Sequence, residues 1–331
     1  MSRERGPRRL RRLDRSVLIA ASVTALSLTA SGCVVVHGER EILPSATKAE
    51  AAKALQQFTT AYNKAEKAYD ISLEADHVSG ALSDILEARL KASKATSPGG
   101  NPSYTPLELS DAKFTIPKKA GWPRWFVADA AANKGGSARW VFVFSRNSLS
   151  EPWEATYLTL MAPGDVPKFR TDKDGWAEAV PANSAELAVA PADLSKAYAN
   201  YLKNGGNTFA DGLNTSKWRA DRAKEAKKPG LVRQYIDEPR TNGDYAPLAL
   251  RTADGGALVF FTTHHFEKQT AYTGTTLVAP NKAVEALTEG EIKQSLTMEI
   301  VSNEAALTPK KGAGKVDVLG RIQGLTSAKG E

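Results

Sequence analysis

The chain has one cysteine, Cys33, in 331 residues. A single thiol excludes an internal disulfide framework and a thiolate-caged zinc. Histidine is scarce too, with four in the whole chain. Several enzyme signatures are missing: Gly-x-Ser-x-Gly, a phosphate-cradling glycine loop ending in Lys-Ser or Lys-Thr, and His-Glu-x-x-His. Long hydrophobic runs are also lacking. The apolar stretch 16–30 is rich in small residues and shorter than the ~20 residues of a spanning helix.

That stretch has a different reading. It follows an arginine-rich opening, residues 1–15, and leads into Ser31, Gly32 and Cys33. A charged segment, an apolar segment and a small-residue cleavage site make a secretory leader. With cysteine directly after the small residues it resembles a bacterial lipoprotein signal, although Ala30 stands where leucine is usual. The resemblance implies cleavage between Gly32 and Cys33 and lipidation of the Cys33 sulfur. Two or more acyl chains then hold the protein stably at a membrane, where one alone holds it marginally. The pairs Arg8-Arg9 and Arg11-Arg12 leave twin-arginine export open beside the general route.

The leader also accounts for most of the charge. The whole chain is +7, and residues 1–32, with seven arginines against one aspartate and one glutamate, carry +5 of it. The remainder is close to neutral. A nucleic-acid partner, which needs a lasting basic patch, is not expected. Once Cys33 is acylated, no cysteine nucleophile remains.

The mature chain, about 300 residues, is long enough for two ordinary domains. Residues 33–46 read as a lipidated tether. Thr47 and Glu50 fit a capping box at a helix start. Leu55, Phe58, Tyr62, Ala65 and Tyr69 then follow at helical spacing, and Leu82, Ile85, Leu86 and Leu90 mark a second helix. The Pro- and Gly-rich stretch 97–103 breaks the chain. Strand-like segments follow at 125–129, 139–144 and 153–161.

Residues 163–190, with Pro163, Pro167 and Pro181, read as a linker. A helix is expected from Pro191, where proline suits the first turn, and a polar one over 218–227. Strands are expected at 231–237, 248–252, 257–266, 295–301 and 316–323. Each half thus runs helix, helix, break, meander. The expectation is an α+β fold of two tandem domains, 47–162 and 191–331, each with helices on one face of an antiparallel sheet. The layout resembles the cystatin-like and nuclear-transport-factor-like superfolds, which do not carry function.

With this leader, an alanine-rich opening helix, the paired halves and a closing segment Val316-Asp-Val-Leu-Gly-Arg-Ile-Gln-Gly-Leu-Thr-Ser-Ala328, the chain resembles a group of actinobacterial cell-envelope lipoproteins of uncharacterised function. The resemblance implies a location and a fold. It brings no catalytic residues.

Few side chains suggest chemistry. His264 and His265 are adjacent in a strand, so they point to opposite faces and do not share a metal. His77 has no identifiable partner, and no catalytic triad can be assembled from the sequence alone. Asp172, Asp174 and Gly175 resemble part of a calcium loop, but Arg170 and Pro181 occupy positions that need acidic ligands, so a polar turn is expected. Trp122, Arg124, Trp125, Trp140 and Trp153 form an aromatic group that could offer a platform for sugars or cell-wall fragments, or simply fill core. Glu151 and Glu154 flank Trp153 and read as an exposed loop pair. No metal or other cofactor is expected.

The leading expectation is a non-catalytic, lipid-anchored binding or assembly module on the outer face of the cell membrane. Its partner is an envelope protein or cell-wall ligand. The alternative is an envelope hydrolase acting on carbohydrate or peptide.

Overall fold

The computed structural model describes residues 41–331, so the leader, Gly32 and Cys33 lie outside the described residues. The end of the expected tether enters the fold. Strand β1 (Leu43–Pro44) is followed by buried Ser45 and Ala46, and the Ser45 N–H donates to Pro117 O at 2.9 Å.

Helix α1 (Lys48–Ala68) starts with the expected capping box. Thr47 Oγ1 accepts the Glu50 N–H at 3.1 Å and Glu50 Oε2 accepts the Thr47 N–H at 2.8 Å. Both bonds satisfy donors that a helix start leaves free. Leu55, Phe58, Tyr62 and Ala65 form its buried face. Tyr69 does not extend it, because the helix ends there with Tyr69 in the left-handed conformation, φ 51°. Helix α2 (Gly80–Thr96) buries Leu82, Ile85, Leu86 and Leu90.

Five strands follow: β2 (Leu109–Thr115), β3 (Pro117–Lys119), β4 (Arg124–Ala132), β5 (Arg139–Arg146) and β6 (Glu154–Met161). β2, β4, β5 and β6 form an antiparallel sheet in that order. β4 to β6 match the aromatic and β-branched segments. β2 is mostly exposed and lacks apolar alternation, which is why the sequence does not mark it. Strand β7 (Ala177–Glu178) joins β1 and β3 in a small sheet.

The second half opens with α3 (Pro191–Asn204), which has proline in its first turn and buries Leu194, Tyr198, Tyr201 and Leu202. A π-helical turn, Leu213–Lys217, leads into α4 (Trp218–Glu225). Then come β8 (Lys227–Lys228), β9 (Leu231–Arg240), β10 (Leu248–Arg251) and β11 (Ala257–Ala271). Helix α5 (Lys282–Leu287), β12 (Thr288–Glu289), β13 (Ser295–Thr308) and β14 (Asp317–Gly330) complete the chain. The large sheet runs β12-β14-β13-β11-β9-β8, with β10 also paired to β11. β11, β13 and β14 are longer than their apolar patterns, because their extensions carry polar residues that only their neighbours explain.

The fold is α+β, with mainly antiparallel sheets. Its core is layered. Phe126, Phe142 and Phe144 face α1 and pack with Phe58. Their neighbours along the same strands, Trp125, Val127, Val141 and Val143, point the other way and pack with Leu250, Leu258, Phe260 and Ala305 of the large sheet. The opposite face of that sheet, with Val259, Phe261 and Ala306, packs on Leu194 and Tyr198 of α3. The order is helix, sheet, sheet, helix. Each half has its own helix-covered face, and the two share the apolar layer between the sheets.

Segment 163–190 runs along the large sheet, where the Val180 N–H donates to Ala249 O at 2.9 Å. Leu43–Glu331 form one compact unit. Helix α2 also crosses between halves: its Ile85 packs with Val301 and Ile322, and its Ala88 and Ala92 with Leu287. Gly324 permits this approach, since a Cβ there would lie 2.7 Å from Ile85 Cγ2. Among the described residues, no helix is long and apolar enough to cross a membrane.

Candidate functional site

The polar extension of the large sheet gathers most of the molecule's unusual chemistry. His264 and His265 take opposite faces, as strand geometry requires. His264 lies on the face that carries Glu299, with its Nε2 2.6 Å from Glu299 Oε1. Burial holds the His264 pKa below the usual histidine value, partly opposed by that carboxylate.

His265 is buried. Asp237 of β9 is its cross-strand partner, with Nδ1 and Oδ1 2.6 Å apart. Ser302 of β13 lies on its other side, 2.8 Å from Nε2. Asp237 would be raised by burial, but the hydrogen bond from His265 and the charge of Arg222 outweigh that and hold it below the usual carboxylate range. An ionised carboxylate can only accept, so Nδ1–H donates to Asp237, and Nε2 shares a hydrogen bond with the Ser302 hydroxyl. Arg222 closes the other side of Asp237, with Nη1 at 2.8 and 2.9 Å from the two carboxylate oxygens.

Glu304 sits two residues along β13, fully buried, with Oε1 3.8 Å from His265 Nε2. Burial pushes its pKa up to about 7, with His265 and Arg321 pulling against that shift. Trp218 covers this polar layer. Its indole meets the His265 imidazole edge-on at 5.1 Å. The guanidinium carbons of Arg222 and Arg321 lie 3.8 and 3.4 Å from its ring centroid. Such contacts are worth more than at exposed sites when the cation is desolvated.

The π-helical turn puts Trp218 there. Thr215 Oγ1 donates to Ala210 O at 2.6 Å and Asn214 Nδ2 to Val318 O at 3.0 Å, fixing the turn to the sheet end. π-turns recur at functional sites, where they re-aim a side chain.

A groove opens beside this layer. Its inner end is a cavity of about 180 Å³ lined by Trp218, Arg222, Tyr235, His265 and Gln323. The middle, about 450 Å³, crosses Tyr235, Glu267, Ile300 and Gln323, one from each of β9, β11, β13 and β14. The outer end, about 320 Å³, lies at β14 between α2 and α5, with Ile85, Ala92, Leu287 and Leu325 in its walls. The middle and outer parts share Ala283, Gln323, Gly324 and Leu325. One wall therefore comes from the first half of the chain and the floor from the second.

The aromatic group read from the sequence is dispersed. Trp125 lies between the sheets, while Trp140 and Trp153 lie in the layer facing α1. Arg124 is buried and donates to Leu43 O at 3.1 Å and Lys119 O at 2.7 Å. Trp122 is half-buried, with Arg124 and Arg146 near its ring. The five do not meet on one surface, because alternation along β4 sends neighbours to different layers. Glu151 is exposed and accepts the Asn147 N–H at 3.0 Å, and Glu154 begins β6, where burial raises its pKa. Asp172 forms a polar turn, its Oδ1 accepting the Asp174 and Trp176 N–H groups and its Oδ2 accepting from Lys118 Nζ at 2.6 Å. His77 lies in a short 3-10 turn away from the groove. Among the described residues, no group of three His, Cys, Asp or Glu could hold a metal ion.

The sequence reading missed Asp237, Ser302, Glu304 and Trp218. One signal was available. Ser302, Asn303 and Glu304 interrupt an otherwise apolar strand, and buried polar runs in strands are uncommon without partners.

A family described as a domain of unknown function, DUF8094, matches residues 42–330. The chain belongs to this family. Across its full length it is 71% identical to an uncharacterized lipoprotein of Streptomyces coelicolor, over the whole of both chains. It is 60% identical to an uncharacterized lipoprotein of Streptomyces avermitilis, again over the whole of both. A second S. coelicolor uncharacterized lipoprotein is 26% identical over 98% of this chain and 95% of its own. No solved structure matches. The resemblance to uncharacterised actinobacterial lipoproteins thus holds, and this DUF8094 chain matches the first two over their full length.

Proposed function

We propose that the protein is a lipid-anchored, extracytoplasmic binding module of the cell envelope, and that the groove across the large sheet is its ligand site. The observation that carries this reading is the groove itself: a concavity of ordinary ligand-site size that runs from a buried polar layer to an apolar edge. The leader supports the anchor, and so do relatives named as lipoproteins. Two experiments test the two parts. Replacing Cys33 by Ala should move the protein from the membrane fraction to the medium; continued membrane retention would refute the anchor. Ala283, exposed on α5, lines both the middle and outer groove. Ala283→Trp should abolish recovery of whatever envelope component the wild type captures. Undiminished capture would remove the groove from the reading.

One observation favours a second reading, an envelope hydrolase. Ser302, His265 and Asp237 hold the spacing of a relay that activates a hydroxyl nucleophile. It ranks second because Ser302 is fully buried and is not part of the cavity wall. Labelling of Ser302 by a fluorophosphonate, lost in His265→Ala, would put the hydrolase first.

A further inference from the structure

We propose that the groove takes an amphiphile, with one alkyl chain in its outer end and an uncharged, hydroxyl-rich head group at its inner end. This deepens the binding reading and rests on it. Three features carry the inference.

The first is a gradient. The outer end, between α2 and α5, has Ile85, Ala92, Leu287 and Leu325 as its apolar walls, with Arg89 and Lys282 also among its lining residues. A cavity lined this way favours hydrocarbon over water. The inner end is walled by Trp218, Tyr235, Arg222 and Gln323. A single ligand spanning both must change character along its length.

The second is charge. The ions that line the inner end already have opposite partners, while Arg321 lies behind the Trp218 ring rather than in the wall. Arg222 pairs with Asp237 at 2.8 Å, Arg233 with Glu225 at 2.6 Å and with Glu267 at 3.1 Å, and Lys217 with Asp221 at 2.6 Å. A charged head would have to break one of these pairs and leave its partner unmatched, which is costly where the pair is buried. A neutral head makes no such demand.

The third is the kind of polar surface on offer. Trp218 and Tyr235 bring aromatic rings and Gln323 an amide that both donates and accepts, and Gln269 and Asn281 add amides in the adjoining middle of the groove. Amides and rings suit a head bearing several hydroxyls, such as a sugar.

The test uses the full-length lipoprotein in lipid nanodiscs. One probe is dodecyl β-glucoside with a diazirine on its chain. A second is methyl β-glucoside with a diazirine on the sugar. After irradiation, adducts are mapped by peptide mass spectrometry, with unlabelled dodecyl β-glucoside as competitor. The chain probe should label peptides containing Leu287 or Leu325. Labelling should fall about tenfold or more in Ala283→Trp and with competitor. Circular dichroism checks that the variant is folded. If only the sugar probe labels the groove, the amphiphile is refuted and the binding site stands. If chain adducts appear but ignore both Ala283→Trp and competitor, the amphiphile is likewise refuted. If neither probe labels the groove, both the amphiphile and the site are refuted.

Discussion

Glu304→Gln should make the protein more stable in mild alkali, by a margin that shrinks steadily into mild acid. The carboxyl is fully buried beside His265, Arg321 and Thr263, with Tyr198 nearby, and its pKa stands at about 7. An unfolded glutamate titrates near 4.3. The folded state therefore holds the proton more tightly than the unfolded state does. Its stabilising contribution is fully present below about pH 4.3 and is lost as pH rises through 7. The gap corresponds to about 4 kcal/mol at pH 8 or above, at 1.36 kcal/mol for each unit.

Glutamine keeps the shape and cannot ionise. The difference between the two proteins isolates this one group, because every other titration is common to both. At about 2 °C per kcal/mol for a chain of this size, the variant should melt up to ~7 °C higher than wild type at pH 8. The difference should shrink to about 2 °C near pH 5. Thermal unfolding followed by tryptophan fluorescence from pH 5 to 8.5 gives the comparison. Parallel curves across that range would refute the raised pKa. A variant less stable at every pH would instead mean that the carboxylate is needed as a charged acceptor in the polar layer.

Three further outcomes follow from the same geometry. Glu74 is buried with neither carboxylate oxygen hydrogen-bonded among the described residues, and burial pushes its pKa up to about 8. Glu74→Gln should therefore be near neutral at pH 4 and increasingly stabilising up to pH 9, and chemical denaturation at the two pH values reads the difference. Arg222→Ala strips the counter-ion from almost fully buried Asp237. Loss of one partner in such a pair costs about 3–5 kcal/mol, so its urea midpoint should fall sharply, while Lys224→Ala on the same helix should change little. Thr47→Ala removes the capping hydroxyl of α1 and should cost about 1 kcal/mol in the same assay.

Much of the first half was legible. The capping box at Thr47, the periodic face of α1, and the aromatic strands β4 to β6 follow from local rules, and the structure places them within a few residues. So does the split of His264 from His265, which needs only the two-residue period of a strand. β2 and α5 were not legible. β2 is held by pairing to β4 and carries no apolar alternation, and α5 is six residues long, too short for a periodic signal.

The candidate site was hardest to see, for a physical reason. Asp237, His265 and Ser302 lie on three different strands, and their side chains meet only through strand register. Trp218 reaches them through an irregular turn, and the groove's outer wall comes from α2, more than 200 residues upstream of β14. Nothing local encodes such meetings.

The sequence by itself carried a lipoprotein-like opening up to Cys33, a nearly neutral remainder, and helices and strands whose signals lie in short-range periodicity. Tertiary structure alone decided that the two halves share a core, that Asp237, His265 and Ser302 meet beneath Trp218, and that a groove runs from polar to apolar across the large sheet. Those features depend on register and packing between distant segments.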